Sequence, residues 1–270
     1  GKGGTMRRLI VALIVGGLTI LPAAQAGAIV YGQPDGDLHP NVGALIIEEQ
    51  GQFFHICSGT LISPTVFLTA AHCTAFLPSI GITQVFVSFD STIDQNSTLI
   101  PGTAVTNPNY NGYQGKGGRA DPGDIAVVLL DQQVLDRTPA QLPTAGMLAQ
   151  MKQDHQLKAQ DFTPVGYGAV RETNRGGWRS IEDNDIRRYA TQGFLSLEPS
   201  WIQLAMNLAT GNGGTCYGDS GGPHFLGGSQ SNLVVAITVS GDAVCKATDV
   251  DYRLDTSAAR TFLQDYVTLP

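Results

Sequence analysis

Three separated stretches of the chain hold residue types that together could break an acyl bond. Ser220 lies in the glycine-rich run Gly218-Asp219-Ser220-Gly221-Gly222-Pro223. A serine in such a turn exposes its hydroxyl and lets backbone N–H groups converge on one point, which acyl transfer needs for its developing oxyanion. The hydroxyl alone is a poor nucleophile near neutral pH. It needs a base whose pKa lies there, and His72, in Thr69-Ala70-Ala71-His72-Cys73, offers one. Asp124 stands directly before the apolar run Ile125–Leu130. Buried beside an imidazole, such an acid fixes the tautomer and stabilises the imidazolium. Asp121, three residues earlier, is the weaker choice because the apolar run starts after Asp124. Singly, a histidine is most often a satisfied polar residue and an aspartate ahead of a strand is commonplace. The serine segment is the specific signal.

Residues so far apart must be carried by a scaffold, and the scaffold reads as β structure. From Ile29 onward short β runs alternate with turn clusters: Ala44–Ile47, Phe53–Cys57, Thr60–Ile62, Val66–Thr69, Val85–Phe89, Ile125–Leu130, Phe162–Val165, Gly193–Leu197, Ile202–Met206 and Leu233–Val239. Val85, Val87 and Phe89 share one face, with Phe86 and Ser88 on the other. Ile125–Leu130 has no polar member and is expected to be buried on both sides. Such spacing predicts a sandwich or barrel. The Pro- and Thr-rich stretch from Asp131 to Met147 is the candidate crossing between two halves. Arg171–Arg188 mixes basic residues with Glu182, Asp183 and Asp185 and reads as a solvated loop. Ala259, Phe262, Leu263, Tyr266 and Val267 fall at helical offsets, with Thr256 or Ser257 as N-cap, so an amphipathic helix is expected at the C-terminus.

Composition narrows the partners. The 270 residues are 42% hydrophobic, sufficient for a real core, and carry a net charge of −7. Lys2, Arg7 and Arg8 are the only charges in the first 28 residues, so the remainder stands at −10. A body this acidic lacks the footprint for phosphate backbones or anionic lipid, and no nucleic-acid or membrane-surface partner is expected. Arg7 and Arg8 lead into the apolar run Leu9–Leu21, which is too short to span a bilayer, and small residues follow at Ala26-Gly27-Ala28. Residues 1–28 therefore read as a signal peptide, with residues 1–5 a possible upstream extension and Ala24-Gln25-Ala26 a competing cleavage site. The product is expected to be secreted, extracellular or periplasmic, with no membrane anchor once the leader is removed. In that oxidising setting the four cysteines, Cys57, Cys73, Cys216 and Cys245, read as two disulfides among three possible pairings. A metal site from His55, Cys57, His72 and Cys73 is disfavoured, since His72 and Cys73 are adjacent and exported thiols oxidise.

Taken together, these segments resemble the chymotrypsin/trypsin-like serine peptidases over most of the mature chain. His72 in TAAHC, Asp124 in DIAVVLL and Ser220 in GDSGGP occur in the family's order. FHICSGTL around Cys57, Asn107-Pro108-Asn109-Tyr110-Asn111, Gly166-Tyr167-Gly168 and Tyr252 are similar as well. The resemblance implies an all-β fold of two six-stranded antiparallel β-barrels with a C-terminal α-helix. The first barrel, residues 29–142, would carry His72 and Asp124; the second, 143–270, would carry Ser220. It pairs Cys57 with Cys73, makes His72, Asp124 and Ser220 the catalytic set, and forms the oxyanion hole from the amides of Gly218 and Ser220. It also has a free Ile29 amino group insert beside Asp219 on activation. Because Ala26-Gly27-Ala28 ends directly before Ile29, leader removal itself could make the activating cut.

The implied activity is a secreted serine endopeptidase working through an acyl-enzyme on protein or peptide substrates, with a catalytically silent binding relative as the alternative and a monomer expected. Specificity departs from the basic-selective members. The position six residues before Ser220 is Gly214, with Thr215 next, so the floor of the P1 pocket lacks charge. Walls come from Ser240-Gly241-Asp242 and Asp249-Val250-Asp251, where Gly241 leaves room and Val250 shortens the slot, favouring small or medium uncharged side chains. A one-residue slip would instead put Asp249 or Asp251 in the pocket. Asp90 and Asp94 fall short of a calcium site, and no cofactor or metal is expected.

Overall fold

The computed structural model describes residues 29–112, 120–171, 173 and 175–270; the expected leader, residues 1–28, lies outside them. The first half closes into a barrel of six antiparallel strands: β1 Val42–Glu49, β2 Gln52–Ser63, β3 Val66–Thr69, β4 Val85–Ser88, β5 Ile100–Thr106 and β6 Ala126–Leu130. They pair in the order β1-β2-β3-β6-β5-β4, with β4 returning to β1 through Ala44 opposite Ser88. Gln50 and Gly51, both at positive φ, form the two-residue hairpin between β1 and β2, a turn whose twist matches the strands it joins.

The second half repeats the plan. Strands β7 Asp161–Gly166, β8 Gln192–Leu197, β9 Trp201–Ala205, β10 Pro223–Leu226, β11 Val234–Gly241 and β12 Thr248–Arg253 pair as β7-β8-β9-β12-β11-β10, and β10 closes on β7. The fold is therefore the pair of six-stranded barrels that the family resemblance implied. Helix α1 spans Met147–Gln153, and α2 spans Ser257–Leu263 with the Thr256 side chain accepting from the Ala259 amide. One apolar cluster runs from Leu45, Phe67 and Val127 in the first barrel through Tyr167 to Ile237 and Tyr252 in the second, and Phe262 and Leu263 of α2 cover it. Ile125–Leu130 is buried as expected except at Leu129, which emerges. Among the described residues no helix is long and apolar enough to cross a membrane.

Between Arg171 and Arg188 the described residues from Arg175 to Ile186 are exposed or half-buried, as a solvated loop requires, but the arginines at its two ends are not. Arg171, Arg187 and Arg188 are all buried, and each guanidinium donates to backbone carbonyls, which offsets part of the cost of taking the charge out of water. Arg187 joins the two halves. It donates from Nε to Asp35 Oδ2 at 2.8 Å, from Nη1 to Phe89 O and Tyr167 Oη, and from Nη2 to Gly36 O. Burial would raise the Asp35 pKa, but hydrogen bonds and charge from His39 and Arg187 hold it below the ordinary value. A lowered acid contributes stability that is present above its unfolded pKa and is lost as pH falls through the folded one. Arg187→Ala takes the guanidinium from the buried Asp35 carboxylate and leaves it only the His39 contacts. It is expected to cost about 3–5 kcal/mol and to lower the melting temperature by about 10 °C, as calorimetry would report; an unchanged transition would show that the clasp does not hold the halves together.

Candidate active site

His72 lies on a 3-10 turn, Ala71–Cys73, just past the end of β3, and Asp124 lies just before β6, the strand paired with β3. That pairing, Thr69 opposite Ala126, brings the two residues together. His72 Nδ1 is 2.9 Å from Asp124 Oδ2, and the His72 amide donates to Asp124 Oδ1 at 2.9 Å. Asp124 is fully buried and the ring is nearly so. Two contacts leave the carboxylate one orientation and fix Nδ1 as the protonated nitrogen, so Nε2 is the free base. Asp121 is used elsewhere, accepting from Tyr252 Oη at 2.8 Å and from the Gly123 amide. Asp124 also raises the neighbouring Tyr110 hydroxyl, whose pKa burial and that charge push to about 12.

The serine turn is held from both barrels. Within it the Asp219 amide donates to Cys216 O and the Gly222 amide to Asp219 O, while the Gly221 amide reaches Thr238 O on β11. From β2, Ser58 N donates to Ser220 O and Ser58 Oγ donates to Gly218 O. Ser58 also accepts from the Tyr167 amide, so one small hydroxyl ties β2 to the turn and to the chain after β7. Gly221, at φ +78°, presses on the histidine segment: a Cβ there would lie 2.2 Å from Thr69 Oγ1 and 2.7 Å from Ala70 N. Only glycine allows the two loops to approach this closely. Disulfides close both sides, Cys57–Cys73 beside His72 and Cys216–Cys245 beside the serine turn. Among the described residues, the amides of Gly218 and Ser220 donate to no backbone carbonyl.

Asp219 turns inward. Its carboxylate accepts from the amides of Gly168 at 2.8 Å and Cys216 at 2.9 Å, and Gly166 and Gly168 are glycines because a Cβ at either would run into it. Burial pushes its pKa up to about 7 against the pull of those two amides. Ile29 is fully buried, and Val30 exchanges two backbone hydrogen bonds with Gly214 and clusters with Cys216, which holds Asp219, and with Ala169, which follows Gly168.

A cavity of about 320 Å³ opens at His72 and Ser220, walled by Thr215, Tyr217, Ser240, Gly241 and Asp249 among others. Gly214 and Val250, expected in the pocket, are not part of this wall. Gly214 is tied to Val30 behind it, and Val250 points into the apolar core. The register Gly241 opposite Asp249 and the two-residue alternation of β12 send Asp249 toward the cavity instead. Its carboxylate accepts from Thr215 Oγ1 at 2.5 Å, from Thr215 N at 3.0 Å and from Gln192 Nε2. Burial and the charge of Asp251 push its pKa up to about 7, against His224 and the Thr215 bonds. Nothing local to TDVDYR marks this acid. Ser58 stands in the sequence only as a member of FHICSGTL, and Tyr217 belongs to none of the motifs.

The arrangement has recognisable relatives. The trypsin family model matches residues 32–259. Brachyurin from Leptuca pugilator is 30% identical over 238 residues, covering 80% of this chain and 90% of that protein. A chymotrypsin-like serine proteinase from Haliotis rufescens is 26% identical over 220 residues, covering 76% of this chain and 78% of the relative. A solved structure titled HL collagenase superposes with a TM-score of 0.62 at 21% identity, over 88% of this chain and 96% of its own; that likeness speaks to fold. With a family model spanning nearly all of the described residues and the serine, histidine and aspartate segments in the stated geometry, the chain belongs to the trypsin family.

Proposed function

We propose that the chain is a secreted serine endopeptidase that hydrolyses peptide bonds through an acyl-enzyme. The observation that carries this is the fixed His72–Asp124 pair at the same cavity as Ser220, with Gly221 pressed against the histidine segment. His72 Nε2 takes the Ser220 proton as Oγ bonds to the scissile carbonyl carbon, and the oxyanion is met by the amides of Gly218 and Ser220. Collapse breaks the C–N bond, and the imidazolium returns its proton to the leaving amine. Water, deprotonated by the same nitrogen, then cleaves the ester and restores Ser220. A fluorophosphonate probe tests the assignment: it should label Ser220 in the processed protein and leave Ser220→Ala unlabelled. Absence of label in the processed wild type would favour a silent binding relative.

The cavity is the P1 site in this reading. Because Asp249, rather than Val250, faces it, we assign it to long side chains with donor ends, Lys and Arg, in place of the small uncharged residues that Gly214 and Val250 suggested. An acid with a pKa near 7 is mostly neutral below that value and charged above it. The ratio of kcat/KM for Lys or Arg over Leu at P1 is expected to rise roughly tenfold as the ionised fraction grows between about pH 6 and pH 8. His72 titration divides out of such a ratio because both substrates share it. A flat ratio would remove Asp249 from substrate recognition. The proposed enzyme acts outside the cell as a monomer, with the chain dividing between its barrels near residue 142.

A further inference from the structure

Behind Asp249 the interior of the second barrel holds a polar chain where a small barrel ordinarily packs apolar side chains. His224 on β10, Asp251 on β12 and Gln192 on β8 are all fully buried. Gln192 Nε2 is spent on Asp249, so its Oε1 is the atom facing His224 Nδ1 at 3.0 Å, and Nδ1 must carry a proton. His224 Nε2 then faces Asp251 Oδ1 at 2.8 Å and Thr238 Oγ1 at 3.0 Å. Among the described residues neither Asp251 oxygen has a hydrogen-bond partner, so the 2.8 Å approach to Nε2 is its one polar contact. With Nδ1 protonated toward Gln192, one proton shared between Nε2 and the Asp251 carboxyl leaves the pair neutral as a whole.

We propose that the buried His224–Asp251 pair, linked to Asp249 through the Gln192 amide, sets the charge of the P1 cavity and so decides whether basic or neutral residues are taken there. The inference rests on the assignment of the cavity to P1. The pair acts in two ways. By holding its shared proton it keeps Asp251 from placing a second negative charge beside Asp249, two residues away on the same face of β12. By donating from Nδ1 it locks Gln192 with its NH₂ toward Asp249, which favours the carboxylate. Burial raises Asp251 and lowers His224 to about 4, which places the shared proton on the acid. The other titratable groups around Asp249 are Asp219 and Tyr217 in the serine turn and Asp242 and Lys246 in the loop before β12. Arg253, farther along β12, is directed to Asp255. Strands β8, β9 and β11 contribute none.

The nitrogen and carboxylate oxygens of His224, Asp249 and Asp251 also lie within 4.8 Å of one another, a spacing open to a metal ion. The geometry favours the proton. Asp249 already accepts from three donors, and a 2.8 Å contact between Nε2 and Oδ1 is a hydrogen-bond length.

The test follows the Asp249 carboxyl carbon by NMR against pH in processed protein carrying Ser220→Ala, its signal assigned through Asp249→Asn. Asp251→Asn, neutral like the protonated acid, is expected to leave the Asp249 midpoint where it is. His224→Leu, which frees Gln192 to turn away, is expected to move it up. In the active enzymes the Lys-to-Leu ratio at a fixed pH near the parent midpoint should fall several-fold in His224→Leu and hold in Asp251→Asn. An unmoved midpoint in His224→Leu, a downward shift in Asp251→Asn, which would show Asp251 charged in the parent, or a metal bound near one per chain would overturn the pair's role. A raised His224→Leu midpoint with an unmoved substrate ratio would leave the pair's role standing and remove the P1 assignment instead.

Discussion

Alanine in place of Ser220 is expected to lower kcat on a peptide substrate by roughly a millionfold, and alanine in place of His72 by about as much. The two act as one unit, since the hydroxyl without its base and the base without its hydroxyl are equally idle. The Ser220→Ala/His72→Ala double variant should therefore be no slower than either single one. The residual rate belongs to binding and to the amides of Gly218 and Ser220. Steady-state kinetics on stringently purified protein decides the matter, and a Ser220→Ala enzyme within tenfold of the parent would end the acyl-enzyme reading.

Asp124→Asn sharpens the same expectation. The Asp124 carboxylate accepts from both the His72 amide and Nδ1. An asparagine that keeps its oxygen on the amide must turn its NH₂ toward Nδ1, which then accepts, and the ring proton moves to Nε2. The ring stays in place but can no longer take the serine proton, a loss of roughly ten-thousandfold in kcat. Stability should barely move, so a normal melting curve with collapsed turnover is the signature of a tautomer effect.

How much of this was legible beforehand depends on whether the needed contacts are local. His72, Asp124 and Ser220 are each framed by neighbours that their loops require, such as Gly221 against Thr69, so their segments stand out in a linear reading. Strand β5 is harder to see because Pro101 and Gly102 interrupt its pattern, and β12 because Asp249, Asp251 and Arg253 read as polar although all three are buried. Helix α1 starts at Gly146 without a side-chain cap, so no start signal precedes it. Arg187 looks solvated because its partners are remote: Asp35 lies 152 residues away. Thr215, Ser240 and Gly241 do line the cavity, whereas Gly214 and Val250 do not, for the same reason. Whether Asp249 or Val250 faces the cavity is set by register against Gly241 on another strand, and a one-residue difference in register exchanges the two faces.

Freeing the amino group of Ile29 is expected to raise kcat/KM by roughly a hundred- to a thousandfold, the value of one oxyanion donor. Asp219 adjoins both Gly218 and Ser220, so where its carboxylate points determines how those amides are aimed. In the described chain only two amides answer that carboxylate, and burial leaves its pKa near 7. An ammonium beside it would stabilise the charged form. Asp219→Asn should therefore cost the processed enzyme about what processing gained, and should cost the unprocessed chain little. The stability profile gives a second readout. An acid whose folded pKa is raised from 3.8 to about 7 contributes stability that is lost as pH rises through that window. The unprocessed chain should lose stability between about pH 4 and pH 7 more steeply than the processed one, in which the ammonium brings Asp219 back down. Asp249 and Asp251 slope the same way in both forms and cancel in the difference. N-terminal sequencing of protein recovered from the culture medium, where the proposed export would deliver it, identifies the enzyme responsible: a start at Ile29 means that leader removal activates, whereas a start at Gly27 requires a second protease to trim two residues. Equal activity with and without the extension would show that the serine turn reaches its working geometry unaided.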